Sequence, residues 1–388
     1  MAKFSSSRPL LVLDVGSSGV HAAVATRNAK GVIDIERVAR SHPLVLPEVN
    51  LKKLWKKLHA MAADVVGDLR KSGSRPHSAV VIFSSPWYFS EVRRFTHVSE
   101  TAVEITGKLL DTFMAEEEER FRVGALERFH VAADEVLILE PVRMRALLNG
   151  YPADSIVGKR AQAIEAFIYL SAVFGRAKSD IKTLLADNGI RLAGVQTSPM
   201  ALYRTAQALG IADEGRVVID IGGEITEVSL IKNGILHDSV SYARGLNFAA
   251  RRVAEALSFD AEAAIVYLQN YGARALENGK AARAKKIVRD AVDEWKALLE
   301  DAFEHLSGKG LLPEIALLAG PGGILAEFAT ALGVDEFRRF TIFGRPFTVE
   351  QLTLDRFADR FTHIPSVFSN AELTNLLVDI LYSFTRNP

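Results

Sequence analysis

The sequence predicts an α/β fold of two lobes that face one another across a cleft. Three observations carry this expectation. The segments LVLDVGSSGVHAAV (11–24) and VVIDIGGEITEVSL (217–230) are an internal repeat, each reading strand, tight turn, strand. In both, an Asp-x-Gly ends an apolar strand: Asp14 with Gly16, and Asp220 with Gly222. A third glycine turn, Gly320-Pro321-Gly322-Gly323, follows the apolar run 314–318 and opens a helix.

Taken in order, residues 10–25 read as two strands broken by Gly16-Ser17-Ser18-Gly19, and 32–39 as a third after the Lys30-Gly31 turn. A helix is expected over 51–71, where Leu51, Leu54, Trp55, Leu58, Met61, Ala62, Val65 and Leu69 recur at spacings of three and four. Its other face carries Lys52, Lys53, Lys56 and Lys57. That face reads as a solvated side rather than a membrane anchor, because it runs on into Asp64 and Asp68. Residues 78–83 form a short buried strand. Residues 88–171 have a pattern of their own, with a helix expected over 101–122 and strands over 135–140, 143–148 and 164–172.

The helix 178–188 ends at Gly189, a good C-cap. A helix over 200–209 leads to strands 216–221, 227–232 and 235–242, the last two joined by the hairpin turn Asn233-Gly234. Helices fill 248–257 and most of 260–308, where Ile287, Val288, Ala291, Trp295, Leu298, Leu299, Ala302 and Leu306 make one apolar stripe. A last helix spans 371–384. Trp55, Trp87 and Trp295 read most simply as core residues.

With 388 residues, 48% hydrophobic and 24% charged, the chain has ample material for several packed units. Its 47 basic and 47 acidic residues cancel, which argues against bulk nucleic-acid binding. There are no cysteines, so disulfides, thiolate zinc sites and cysteine catalysis are excluded. No secretory signal and no transmembrane helix is expected. The nine histidines show no paired metal spacing, Ser84-Ser85-Pro86 is not a nucleophile elbow, and there is no GxxxxGK[ST] loop.

Chemistry follows from the turns. Phosphates need closely spaced backbone N–H donors, and glycine lets the main chain approach them. Gly16, Ser17, Ser18, Gly222, Gly223 and Thr226 are the phosphate candidates. Asp14 and Asp220 are the Mg²⁺ candidates, through water, because Mg²⁺ keeps much of its hydration shell. Gly320, Gly322 and Gly323 would lie near a nucleoside. One Asp-x-Gly turn alone is an ordinary β-turn; two of them with the third turn make a nucleotide cleft the better reading.

These motifs resemble the actin-like ATPase superfamily, whose fold is a duplicated ribonuclease H-like unit, and within it the FtsA/PilM group of bacterial actin homologues. The resemblance runs roughly over 9–384. It implies ATP and Mg²⁺ as ligands, at most a slow Mg²⁺-dependent ATPase, and Glu227 as the candidate that positions an attacking water. It also implies four subdomains: 1A (1–87, 172–200, 364–388), an SHS2-like 1C insertion (88–171), 2A (201–250, 311–363) and 2B (251–310). Asn149-Gly150-Tyr151, Val157-Gly158 and Glu165-Ala166-Phe167-Ile168 resemble the end of the 1C subdomain.

Four departures stand out. His21 occupies the place of a lysine that reaches the terminal phosphates. Glu224 and Ile225 stand where a glycine and a threonine are usual. Ile265 and Leu268 replace a Glu and a Lys that hold the ribose, if Tyr271-Gly272 is aligned with the family's Tyr-Gly. The chain also ends without the amphipathic membrane helix of FtsA, so Leu376, Leu377, Ile380 and Leu381 read as core.

The expected function is an adaptor or filament subunit at the cytoplasmic face of the bacterial inner membrane. The expected partners are a second copy of itself and a membrane-anchored, FtsZ-like or PilN-like protein. The insertion leans toward the cell-division role, and the second loop and the missing anchor lean toward pilus assembly; the FtsA-like division role is the expected one and PilM-like pilus assembly the alternative. A scaffold with a vestigial cleft is the alternative in mechanism. A sugar-kinase-type enzyme would need an Asp base, and nothing marks Asp134 or Asp154 as one.

Overall fold

The computed structural model describes residues 8–385, apart from 130–131, 133–134, 140, 154, 272–277, 309, 321 and 370–372. Asp134, Asp154, Gly272 and Pro321 lie outside the described residues, as does the start of the expected last helix.

Strands β1 (Leu10–Val15), β2 (Val20–Arg27) and β3 (Ile33–Arg40) form an antiparallel meander. Helix α1 (Leu51–Lys71) carries the chain back so that β4 (Ser78–Phe83) lies parallel to β1. The insertion follows: β5 (Tyr88–Glu104), α2 (Gly107–Phe129), β6 (Val136–Ile138), β7 (Val142–Leu148), β8 (Tyr151–Pro152) and β9 (Arg160–Phe174). Helix α3 (Gly175–Asp187) returns to β10 (Arg191–Thr197), parallel to β4, and α4 (Ser198–Ala208) leaves the first lobe. The second lobe contains β11 (Arg216–Ile221), β12 (Thr226–Lys232), β13 (Ile235–Tyr242), α5 (Leu246–Leu257), α6 (Ala261–Gln269), α7 (Asn278–Ser307), β14 (Ile315–Ala319), α8 (Leu325–Leu332) and β15 (Thr348–Gln351). Helix α9 (Thr374–Thr385) packs back against β1 and β2 of the first lobe.

The first sheet has the order β3-β2-β1-β4-β10 and the second the order β13-β12-β11-β14-β15. The two match strand for strand, with the same antiparallel and parallel neighbours, so the repeat in the sequence is a repeat of topology. Asn233 and Gly234 both take positive φ, 51° and 69°, as a two-residue hairpin requires.

Strand alternation sets the layers. In β1, Leu11, Leu13 and Val15 face α1 and α3, while Leu10 and Val12 face α4 and α9. In β11, Val217, Ile219 and Ile221 face α5, α6, α7 and α8, while Val218 joins the α4–α9 side. Helices α4 and α9 therefore form a central layer between the two sheets. The same alternation places Asp14 and Asp220 on that central side, at the ends of their strands. Leu376, Leu377, Ile380 and Leu381 of α9 are buried there, as expected.

The insertion differs from the sequence expectation. The helix begins at Gly107, not near 101, because the strand before it runs on to Glu104: Val103 pairs with Ala161 and Glu104 with Arg160. Thr101 and Val103 are β-branched, and partner strand β9 overrides the helical spacing that follows them. Lys52, Lys53, Lys56 and Lys57 of α1 are exposed, and among the described residues none of these four forms an ion pair; Lys71, at the helix end, pairs with Asp68.

Candidate functional site: a closed cleft between two hairpins

Both hairpin turns are closed in the same way. The amide of Gly16 donates to the carbonyl of Gly19 at 3.1 Å, and that of Gly222 to Ile225 at 3.0 Å. Across each hairpin the acidic strand end has a cross-strand neighbour: Asp14 opposite His21, and Asp220 opposite Glu227. Each turn is also braced by an indole. Trp87 Nε1 donates to the Gly16 carbonyl at 2.8 Å, and Trp295 Nε1 to Thr226 Oγ1 at 3.0 Å. The tryptophans are buried, as expected, but each also uses its N–H, which a buried indole must place somewhere.

A cavity of about 90 Å³ lies between the hairpins, lined by Asp14, Gly16, Ser17, Ser18, His21, Asp220, Gly222, Gly223, Glu227 and Gly320, with Ser85 and Asn375. The structure thus brings ten of the thirteen expected site residues together. The other three stand apart. Thr226 is fully buried, and its hydroxyl donates to the Arg244 carbonyl at 2.6 Å. Gly322 and Gly323 abut the end of α6. A Cβ on Gly322 would lie 2.5 Å from the backbone of Gln269, and one on Gly323 2.4 Å from the Tyr271 carbonyl oxygen. Ile265 and Leu268 are fully buried in the core of the second lobe.

The carboxylates are the main electrostatic feature. His21 Nδ1 lies 3.1 Å from Asp14 Oδ2 and shares a hydrogen bond with it. Asn375 Nδ2 donates to Asp220 Oδ1 at 2.9 Å. Burial pushes the Asp220 carboxyl up to about 6, with the bond from Asn375 lowering it and the charge of Asp14 raising it. Glu227 accepts from Ser85 Oγ at 2.9 Å and from Ser198 Oγ. Burial pushes its carboxyl up to about 7 against the lowering effect of the Ser85 bond. Asp379, on α9, is held well above the ordinary carboxylate range by burial and then by the charges of Asp14 and Asp220. Sequence reading passed over Asn375, Asp379 and Ser198. The available signal was Asp379 itself, a lone charge inside the apolar run LLVDIL.

The cation and the nucleotide implied by the resemblance fit differently. Asp14 and Asp220 offer two desolvated carboxylates on one cavity, which suits a hydrated Mg²⁺. Among the described residues no group of three His, Asp or Glu side chains is placed to hold a metal by itself. A nucleotide does not fit this arrangement. The cavity has room for about three waters, whereas small-molecule sites run to roughly 300–1,000 Å³. The two phosphate-type turns touch: a Cβ on Gly223 would lie 2.4 Å from Ser18 Cβ, and Glu224 N donates to Ser17 Oγ at 2.9 Å. The approach that glycine permits is taken up here by protein backbone.

No known protein-family profile matches the chain, and no curated protein sequence matches it. Solved structures do. A chain of a PilM-PilN type IV pilus biogenesis complex superposes with a TM-score of 0.65 at 17% identity, covering 100% of both chains. The ethanolamine utilization protein EutJ from Carboxydothermus hydrogenoformans gives 0.49 at 13% identity, over 100% of this chain and 93% of that one. MreB 5 of Spiroplasma citri, bound to AMPPNP, gives 0.44 at 12% identity over 96% of each. The fold is the actin-like ATPase fold.

Proposed function

We propose that this chain is a PilM-like adaptor, which grips a segment of a membrane-anchored partner at the cytoplasmic face of the inner membrane. The observation that carries the reading is a groove of about 610 Å³ at the seam between the insertion and the first lobe. Leu110, Phe113 and Met114 of α2 form one wall, Ile164 and Ile168 of β9 the floor, and Met200 and Tyr382 of α4 and α9 the other wall. Its size is that of a ligand pocket, and its lining is apolar enough to bury the anchor residues of a peptide. Arg143 and Arg204 also line it and supply charge for a segment with an acidic end.

Full-length likeness to a chain solved in a complex with PilN supports a PilN-like occupant. It favours the pilus role over the division role toward which the insertion leaned in the sequence. Among the described residues no helix is long and apolar enough to cross a membrane, so contact with the bilayer runs through the partner in this reading. The cleft completes it as the MgATP site of the fold, with Asp14 and Asp220 toward the metal and Gly16, Ser17, Ser18, Gly222 and Gly223 toward the phosphates once the turns part. The Glu227 carboxyl, held by two serine hydroxyls, is poorly free to activate water, which fits slow turnover or none.

The test is calorimetric titration of the chain with the cytoplasmic segment of a PilN-like protein from the same source. Micromolar binding that falls at least tenfold in Met114→Glu and Leu110→Glu is the expected result. Binding unchanged by both substitutions would sink the groove as the partner site.

A further inference from the structure

Glu224 is the residue at which the second turn departs most from the first. It occupies the position of Ser18 in the repeat, yet its side chain leaves the cavity. It reaches α5, where Arg251 donates to both carboxylate oxygens at 2.9 Å and Asn247 Nδ2 donates to Oε1 at 2.8 Å. The Glu224 side chain is only 4% exposed. The same donors also cross to the first lobe. Asn247 Nδ2 donates to the Leu44 carbonyl at 2.9 Å and Arg251 Nη1 to the Leu46 carbonyl at 3.3 Å. Glu224 N meets Ser17 Oγ, and the Leu44 amide is tied to the Ser18 carbonyl at 2.6 Å.

These bonds form one network: turn 16–19, segment 44–46, turn 222–225 and α5. Within it Gly223 sits against Ser18, and Gly245 against the carbonyls of Gly222 and Gly223, at separations that leave no room for a Cβ. We infer that Glu224, clamped by Arg251 and Asn247, is an interlobe latch that closes the cleft without nucleotide and bars nucleotide entry until it opens. A bidentate guanidinium–carboxylate pair with a third donor is a strong and directional fastener where the carboxylate is buried. In a turn with glycine at 224, Arg251 and Asn247 would lose the carboxylate that holds them beside segment 44–46, while the Ser17 bond, made by the backbone amide, would remain.

The insertion bonds to the second lobe separately, through the β12–β13 hairpin. Arg145 on β7 donates to the Asn233 carbonyl of the β12–β13 turn at 2.9 Å, and Phe167 on β9 stacks edge-on against His237 on β13 at 5.4 Å. These two contacts hold the insertion against the second lobe.

The experiment compares the full chain with Glu224→Gly and with Glu224→Gln, which keeps the side-chain shape but loses the charge. Amide hydrogen exchange is followed without nucleotide, and MgATP binding by titration. The expected result is slow exchange at 17–18, 44–46 and 223–225 in the parent chain, at least tenfold faster exchange in Glu224→Gly, and a smaller acceleration in Glu224→Gln. MgATP affinity should rise at least tenfold in Glu224→Gly. Parent and Glu224→Gly chains that exchange alike, or bind MgATP alike, would overturn the latch. Failure of Glu224→Gly to fold would leave the same comparison to Glu224→Gln. Titration of the groove with the partner segment is a separate readout, so loss of the latch and loss of the adaptor reading are distinguishable.

Discussion

The two hairpins that face each other across the cleft share one backbone and differ in chemistry. In the first, the strand-end carboxylate of Asp14 has an imidazole, His21, as its cross-strand neighbour. In the second, Asp220 has another carboxylate, Glu227, which turns to Ser85 and Ser198 instead. The first turn presents the small hydroxyls of Ser17 and Ser18; the second presents Gly223 and the long acid Glu224. Duplication thus preserves what strand pairing and turn closure need. The side chains that the turns expose are free to diverge, and in this chain they have diverged toward holding the turns together.

Three perturbations test how different the hairpins are. The largest expected effect is at the clamp. Arg251→Ala leaves the buried Glu224 carboxylate with only the Asn247 amide and no cation against it, at a cost of about 3–5 kcal/mol. In the first hairpin, His21→Ala removes one hydrogen bond from a part-buried site and should cost about 1 kcal/mol. Urea unfolding of both variants gives the comparison, and equal costs would mean that the second hairpin carries no special clamp.

The next effect is on pH dependence. Unfolded carboxyls titrate near about 4, whereas in the fold Asp220 is pushed up to about 6 and Glu227 to about 7. Between those values the native state holds more protons than the unfolded chain, so stability falls as pH rises. The contribution is complete below about pH 4 and is lost as pH climbs through 6 and 7, with Glu227 alone accounting for about 3 kcal/mol. Thermal melts at pH 5, 6, 7 and 8 should show the decline, and Glu227→Gln should flatten it. A variant that keeps the full slope would place the titration elsewhere.

The smallest effect concerns backbone approach. Gly223→Ala pushes a methyl group into Ser18 at 2.4 Å and should cost about 1–3 kcal/mol, while Gly16→Ala meets nothing closer than 3.4 Å and should stay within about 0.5 kcal/mol. Chemical denaturation of the two alanine variants measures the difference. A harmless Gly223→Ala would mean that the turns separate readily in solution.

Much of the fold was legible in the chain. The apolar runs 11–15 and 217–221, each closed by a glycine turn, gave the strands, Asn233-Gly234 gave the hairpin, and the spacing in 51–69 gave α1. The insertion was read less well. Its strand 88–104 is long and mixed in composition, and its extent is decided by pairing with β9, 56 to 85 residues away in sequence. At the site, Asp14 and Asp220 were legible because each closes an apolar strand just before a glycine. Asn375 and Asp379 were not, because a helix sequence does not say which sheet edge its polar residues will meet.

What the sequence by itself determined is the pair of hairpins, their Asp-x-Gly ends and the burial of the three tryptophans. These depend on short apolar runs, turn chemistry and apolar volume, all of which act over a few residues. Only the tertiary structure decided that Glu224 turns to Arg251 rather than into the cleft, that the glycine turns meet each other, and that a groove opens between insertion and lobe. Those outcomes are contacts between segments some thirty to two hundred residues apart. Their energies depend on how two lobes are held face to face, and no local rule in either turn contains that distance.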